Sequence, residues 1–153
     1  MRKLLLLNGP NLNLLGNRKT DTYGTKSLQN IEEELVELVA TMGFELDTHQ
    51  SNHEGELIDW LHKANETYLG VVFNPGAYTH TSIAIRDAIE AIKVPVIETH
   101  ISNIHNRESF RNHSYISPAA AGLVVGFGPL SYKIGVYALI EKLNERERED
   151  GEN

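Results

Sequence analysis

Apolar and polar positions divide this chain into short continuous apolar runs and longer stretches with apolar residues every three or four positions. Leu4 to Leu7 is a continuous apolar run, the pattern of a strand covered on both faces. Beyond Ser27, a residue suited to cap a helix, Leu28, Ile31, Leu35, Leu38 and Met42 recur at helical spacing until Gly43 stops them. Phe44 to Gln50 alternates Phe, Leu and Thr with polar residues, which predicts a strand nearer the sheet edge. Leu57, Ile58, Leu61 and Tyr68 mark a second helix, and Gly70 to Phe73 a third strand. Ile83, Ala84, Ala88, Ile89 and Ile92 mark a third helix. Val94 to His100 predicts a fourth strand with Pro95 tolerated at its entrance, and Gly122 to Gly126 a fifth. A last helix is expected from about Leu130 to Arg146. The charged tail from Glu145 to Asn153 is expected to fray.

Strands that alternate with helices predict a parallel sheet covered on both faces, a three-layer α/β sandwich of five strands. Right-handed crossovers favour the flavodoxin-like strand order 2-1-3-4-5. No repeat, low-complexity stretch or linker interrupts the pattern, so residues 1–153 read as a single catalytic domain. In such sheets ligands bind beyond the carboxyl ends of the strands, where the strand order reverses. The loops after strands 1, 3 and 4 meet there. They carry Asn8-Gly9-Pro10-Asn11, then Asn74 to Ser82, then His100-Ile101-Ser102-Asn103.

Composition narrows the chemistry. With 153 residues and 41% hydrophobic content, the chain is long enough to bury a substantial core. A formal charge of −7 argues against a nucleic-acid partner, which would need a basic face. The absence of cysteine removes disulfides, thiolate metal sites and thiol nucleophiles. The apolar run after Met1 stops at Asn8, too short for a signal-peptide core, so a cytoplasmic location without a membrane partner is expected. Asn112-His113-Ser114 and Asn65-Glu66-Thr67 match the glycosylation pattern, a coincidence in that compartment.

Two residues apart on one strand, Glu98 and His100 point to the same face. A carboxylate there can fix the imidazole tautomer and raise its basicity, preparing a general acid; the alternative is a buried ion pair. The turn Ile101-Ser102 can offer N–H groups to an anion. Arg107 and Arg111 would share one face of a short helix and suit carboxylate or phosphate, unless that face is simply solvated, as Glu108 suggests. The amides Asn8 and Asn52 read as caps for loop backbones. The loop from Gly9 to Thr25 is long for a segment without regular structure, and such loops are often lids; it holds Arg18 and Tyr23. A phenol is roughly 0.1% ionised at neutral pH, and closing three pKa units needs about 4 kcal/mol. One cation at about 4 Å and an effective dielectric of about 20 supplies that much, so a tyrosinate base is permitted.

Five segments together resemble the type II 3-dehydroquinate dehydratases over Leu4 to about Leu143. They are Asn8 to Asn11 with Leu14-Leu15-Gly16, Gln50 to Gly55, Asn74 to Ala77 with Thr79 to Ser82, Glu98 to Asn103, and Arg107 to Arg111. The resemblance implies dehydration of 3-dehydroquinate to 3-dehydroshikimate, in aromatic amino-acid biosynthesis, without metal, cofactor or covalent intermediate. It implies Tyr23 as base, Arg18 lowering its pKa, and His100 as acid oriented by Glu98. Asn11 would stabilise the enolate through a bound water. It further implies that Asn74 with the Ile101-Ser102 backbone holds the substrate carboxylate, and that His80 and Arg111 bind ring hydroxyls. Asp87 would reach a neighbouring subunit's site in a dodecamer built from trimers. Relatives commonly open the lid with Arg-Glu-Pro, whereas this chain has Arg18-Lys19-Thr20; the missing proline should loosen the lid.

Rival readings on the same fold fit less well. A receiver domain needs clustered aspartates where Asn8 and Asn74 stand. A flavin phosphate loop would want more N–H donors than a stretch with Pro10 supplies. For a metal hydrolase, His49 and His53 stand astride a strand end without convincing ligand partners.

Overall fold

The computed structural model describes residues 2–16 and 26–152. Its sheet contains β1 (Lys3–Asn8), β2 (Glu45–Gln50), β3 (Val71–Asn74), β4 (Val96–His100) and β5 (Gly122–Val125), all parallel in the order β2-β1-β3-β4-β5. The helices are α1 (Leu28–Ala40), α2 (Glu54–Thr67), α3 (Ile83–Ala91) and α4 (Leu130–Glu152). This is the flavodoxin-like arrangement that the alternating blocks predict.

Strand β1 explains why both faces must be covered. Leu4 and Leu6 belong to the cluster formed with α1 and α4, whereas Leu5 and Leu7 belong to the cluster with α2 and α3. All four side chains are fully buried, and each contributes about 1.5–3 kcal/mol. Strand β2, at the edge, keeps only Leu46 buried, which matches its alternating pattern. Ser27 caps α1 as expected, and Asn30 Oδ1 accepts from the Ser27 N–H to complete a capping box.

Three details differ from the sequence reading. Tyr68 lies just past α2, where its hydroxyl donates to Asp47 Oδ2 at 2.5 Å and its ring packs under the edge of the core. The segment after β4 is not one short helix. It forms two separate 3-10 turns, Ile104–Asn106 and Ser109–Arg111, with Arg107 between them. Finally, α4 continues to Glu152 rather than ending near Arg146, so the tail expected to fray is helical. Glu and Arg are good helix formers, and ion pairs Arg148–Glu141 at 3.2 Å and Arg2–Glu147 at 2.6 Å accompany the extension.

Candidate active site

The site begins where β1 and β3 end side by side. Register places Asn8 opposite Asn74, and each belongs to a strand whose crossover leaves in a different direction. The two loops touch backbone to backbone. Gly9 N–H donates to the Asn74 carbonyl at 2.7 Å, and a Cβ on Gly9 would stand 2.4 Å from the Pro75 oxygen. Gly76 has φ of 61°, a conformation that L side chains rarely adopt. Only glycines allow so close an approach.

Beneath this junction lies a buried polar chain. Asn74 Nδ2 donates to the Tyr132 hydroxyl at 3.0 Å, which donates in turn to Asn8 Oδ1 at 2.6 Å. Asn74 Oδ1 accepts the Gly76 N–H at 3.0 Å. Burial pushes the Tyr132 hydroxyl above its ordinary pKa, against the hydrogen bond from Asn74, so it stays a neutral donor and acceptor. Asn8 therefore does not cap its loop, as the sequence suggested; it reaches α4. Its Nδ2 is buried without a partner among the described residues. Asn52 does serve backbone, accepting the Asn11 N–H at 3.0 Å.

At the end of β4, Glu98 is 0% exposed and His100 5%. Imidazole Nε2 stands 2.5 Å from Glu98 Oε2. Three hydroxyls also reach this carboxylate: Thr79 at 2.9 Å, Ser117 at 2.8 Å and Ser114 at 3.1 Å. Burial pushes the Glu98 carboxyl up. The His100 hydrogen bond and charge, with Ser117 and Thr79, outweigh it and hold the group below the ordinary carboxylate range. An ionised Glu98 can only accept, so Nε2 carries a hydrogen and Nδ1 is the nitrogen left for a molecule in the cavity. The same-face reading of the two residues is what the strand delivers.

A cavity of about 660 Å³ opens above these residues. Asn74, His80 and His100 line it, with Asn11 at one rim and the Ile101-Ser102 turn at another. Arg107 and Arg111 also line it, although no single helix carries them. Arg111 Nε donates to Glu108 at 2.8 Å, and Arg107 Nε lies 3.9 Å from the same carboxylate. His80 Nδ1 donates to the His113 carbonyl at 2.8 Å, which leaves Nε2 as the open edge of that ring. The N–H groups of Ile101 and Ser102 donate to no backbone carbonyl among the described residues. Asp87 is exposed on α3 and does not line the cavity. Arg18 and Tyr23, with Lys19 and Thr20, lie outside the described residues.

The Dehydroquinase class II family model matches residues 2–140. The chain belongs to the type II dehydroquinase family. It is 56% identical to a 3-dehydroquinate dehydratase of Marinomonas sp. (strain MWYL1), over 94% of this chain and 99% of that protein. A 3-dehydroquinate dehydratase of Bacillus cereus (strain B4264) is 54% identical, over 95% and 99% of the two chains. The crystal structure of type II dehydroquinase from Butyrivibrio crossotus DSM 2876 superposes with a TM-score of 0.86 at 41% identity, covering 90% of this chain and 97% of that one.

Within this dehydroquinase fold, four of the five quoted motifs line the cavity and Gln50 to Gly55 does not, while three supports behind the cavity, Tyr132 buried and Ser114 and Ser117 half-buried, stand outside those motifs. Tyr132 sits inside a helical repeat and offers no local sign of a polar role. Ser114 reads only as the end of a glycosylation pattern, and Ser117, beside Pro118, belongs to no quoted motif. Among the described residues no helix is long and apolar enough to cross a membrane.

Proposed function

We propose that this chain is a 3-dehydroquinate dehydratase, a hydro-lyase that converts 3-dehydroquinate to 3-dehydroshikimate in the shikimate pathway. The observation that carries the reading is the Glu98–His100 pair, buried against hydroxyls on one side and opening on the other into a polar cavity with two arginines. Family membership supplies the reaction.

In this reading Tyr23, as tyrosinate stabilised by Arg18, takes the proton next to the substrate ketone. The electron pair moves onto the ketone oxygen as an enolate, which Asn11 stabilises through a bound water. Collapse of the enolate forms the carbon–carbon double bond and breaks the carbon–oxygen bond of the hydroxyl. His100, entering the step as the imidazolium, gives its Nδ1 proton to that departing oxygen, and water leaves. The Tyr23 proton then returns to His100 through solvent, which restores both groups. Glu98 stabilises that imidazolium and holds the ring with Nε2–H inward. The substrate carboxylate accepts from the Ile101 and Ser102 N–H groups and from the second Asn74 hydrogen. His80 Nε2 and Arg111 take ring hydroxyls.

Asp87, exposed on α3 and away from its own cavity, would complete a neighbour's site in a cytoplasmic dodecamer of trimers, each chain a single catalytic domain. Light scattering should then report the mass of twelve chains. Adding 3-dehydroquinate with a chelator present should raise the ultraviolet absorbance of a conjugated enone in wild type but not in Tyr23→Phe or His100→Ala. Folded wild-type protein that yields no such signal would refute the assignment.

A further inference from the structure

The segment His113 to Ser117 bonds to His80 and to Glu98, the partner of His100, although none of its residues lines the cavity. Its His113 carbonyl accepts from His80 Nδ1 at 2.8 Å. Its Tyr115 N–H donates to the Thr79 carbonyl at 2.9 Å, which staples the segment to the turn after β3. Thr79 itself stands against Glu98. The loop after β3 and this later segment thus close around one buried carboxylate.

Ser114 is the most constrained member. Its Oγ accepts the Ile116 N–H at 3.1 Å and the Ser117 N–H at 3.0 Å. Two donors occupy its lone pairs, so its single proton is directed away from the backbone. That proton goes to Glu98, at 3.1 and 3.2 Å from the two oxygens. Ser117 Oγ adds a bond to Oε1 at 2.8 Å, and Thr79 one to Oε2 at 2.9 Å. Oε2 also receives His100 Nε2–H. A protonated Glu98 would have to turn one oxygen into a donor toward groups that are themselves directed at it.

We propose that Ser114 and Ser117 are positioning residues of the dehydratase site, which keep Glu98 an acceptor and thereby fix His100 with Nε2–H inward and Nδ1 toward the substrate. The inference rests on the dehydratase reading for its kinetic test, but not for its spectroscopic one. Neither serine touches substrate. Each acts through Glu98, so its loss should impair proton donation rather than binding.

Ser117→Ala is the cleaner variant, because among the described residues that hydroxyl bonds only to Glu98, whereas Ser114 also caps two backbone groups. Loss of a hydrogen bond to a charged acceptor predicts a fall in kcat of about tenfold. KM should stay within about twofold of wild type. In a Glu98→Gln background the same change should cost less than about threefold, since the acceptor charge is gone. Proton–nitrogen spectra of His100 should show the Nε2-bound hydrogen sharp in wild type and exchanging faster in Ser117→Ala. Ser114→Thr, which keeps the hydroxyl, should retain the wild-type spectrum, and Ser114→Ala should not. Wild-type kcat and an unchanged His100 signal in Ser117→Ala would overturn the proposal. A kcat loss of equal size in the Glu98→Gln background would overturn it too. Wild-type protein inactive on 3-dehydroquinate sinks the dehydratase reading alone, and the spectra then still decide the role of the serines.

Discussion

Replacing Tyr132 by Phe removes one oxygen from the interior and should cost more than any surface change on this protein. The hydroxyl is 0% exposed and links Asn74 Nδ2 to Asn8 Oδ1 at 3.0 and 2.6 Å. Without it, one amide donor and one amide acceptor are left dry, and Asn8 already has an unpartnered Nδ2 among the described residues. Each orphaned group costs about 1–3 kcal/mol. The phenol's own desolvation is relieved, which offsets part of the loss. A net destabilisation of about 3 kcal/mol follows, or a Tm fall of about 6–12 °C for a chain of this length.

The assay is thermal unfolding at one protein concentration, together with KM for 3-dehydroquinate. Asn74 is held by Tyr132 and by Gly76 N–H, so freeing its amide to rotate should raise KM more than it lowers kcat. Asn8→Ala serves as the partner in a double-mutant cycle. The double variant should be less destabilised than the sum of the two singles by about 1–2 kcal/mol, because the bond is lost only once. Additive losses, or a Tyr132→Phe protein as stable as wild type, would show that the buried chain carries no coupling.

Three further outcomes are expected. Gly9→Ala forces a Cβ to 2.4 Å from the Pro75 carbonyl, so β1 and β3 loops must part; a loss of about 3 kcal/mol, read by denaturant unfolding, is anticipated, and wild-type stability would count against the backbone contact. Glu98 titrates below its ordinary value of 4.5, so its stabilisation is fully present above that pH and is lost as pH falls through the lower folded value. Glu98→Gln should flatten that part of the stability profile, and an unchanged acid limb would contradict the assignment. Glu108 occupies Arg111 Nε at 2.8 Å, so Glu108→Ala should free the guanidinium and lower KM about two- to fivefold at low salt. The gain should shrink as salt rises, and a KM insensitive to both changes would exclude competition between Glu108 and the substrate.

Sheet order and core were legible because they follow from local signals. The leucines of β1, the capped repeat from Leu28 and the alternation of β2 each report their own burial. The cavity walls were legible as well, since strand ends converge by topology and Asn74, His80, His100, Ile101, Ser102, Asn11 and Arg111 all line the cavity. Where local reasoning failed, the structure was decided by partners far along the chain. Arg107 and Arg111 are spaced for one helix face, but Glu108 pairs with both and the backbone turns twice instead. Asn8 resembles a loop cap locally because nothing near it in sequence announces a hydroxyl 124 residues away.

Two polar networks lie under the cavity floor, and both obey one rule. Each begins in a late part of the chain, on α4 for Tyr132 and before β5 for Ser114 and Ser117, and each ends on a residue that lines the cavity. Apolar packing of similar shape would make a more stable sheet end, because buried hydrogen bonds recover little beyond the water they displace. What they add is direction. Among the described residues, Asn74 is left with one free amide hydrogen and His100 with one free nitrogen, while rotation of either ring or amide would break a bond in a dry site. Orientation enforced in this way is already present before a substrate arrives, so none of its binding energy is needed to set it. The residues that decide how well the site works therefore include several that no substrate touches, and their substitution should change catalysis as well as stability.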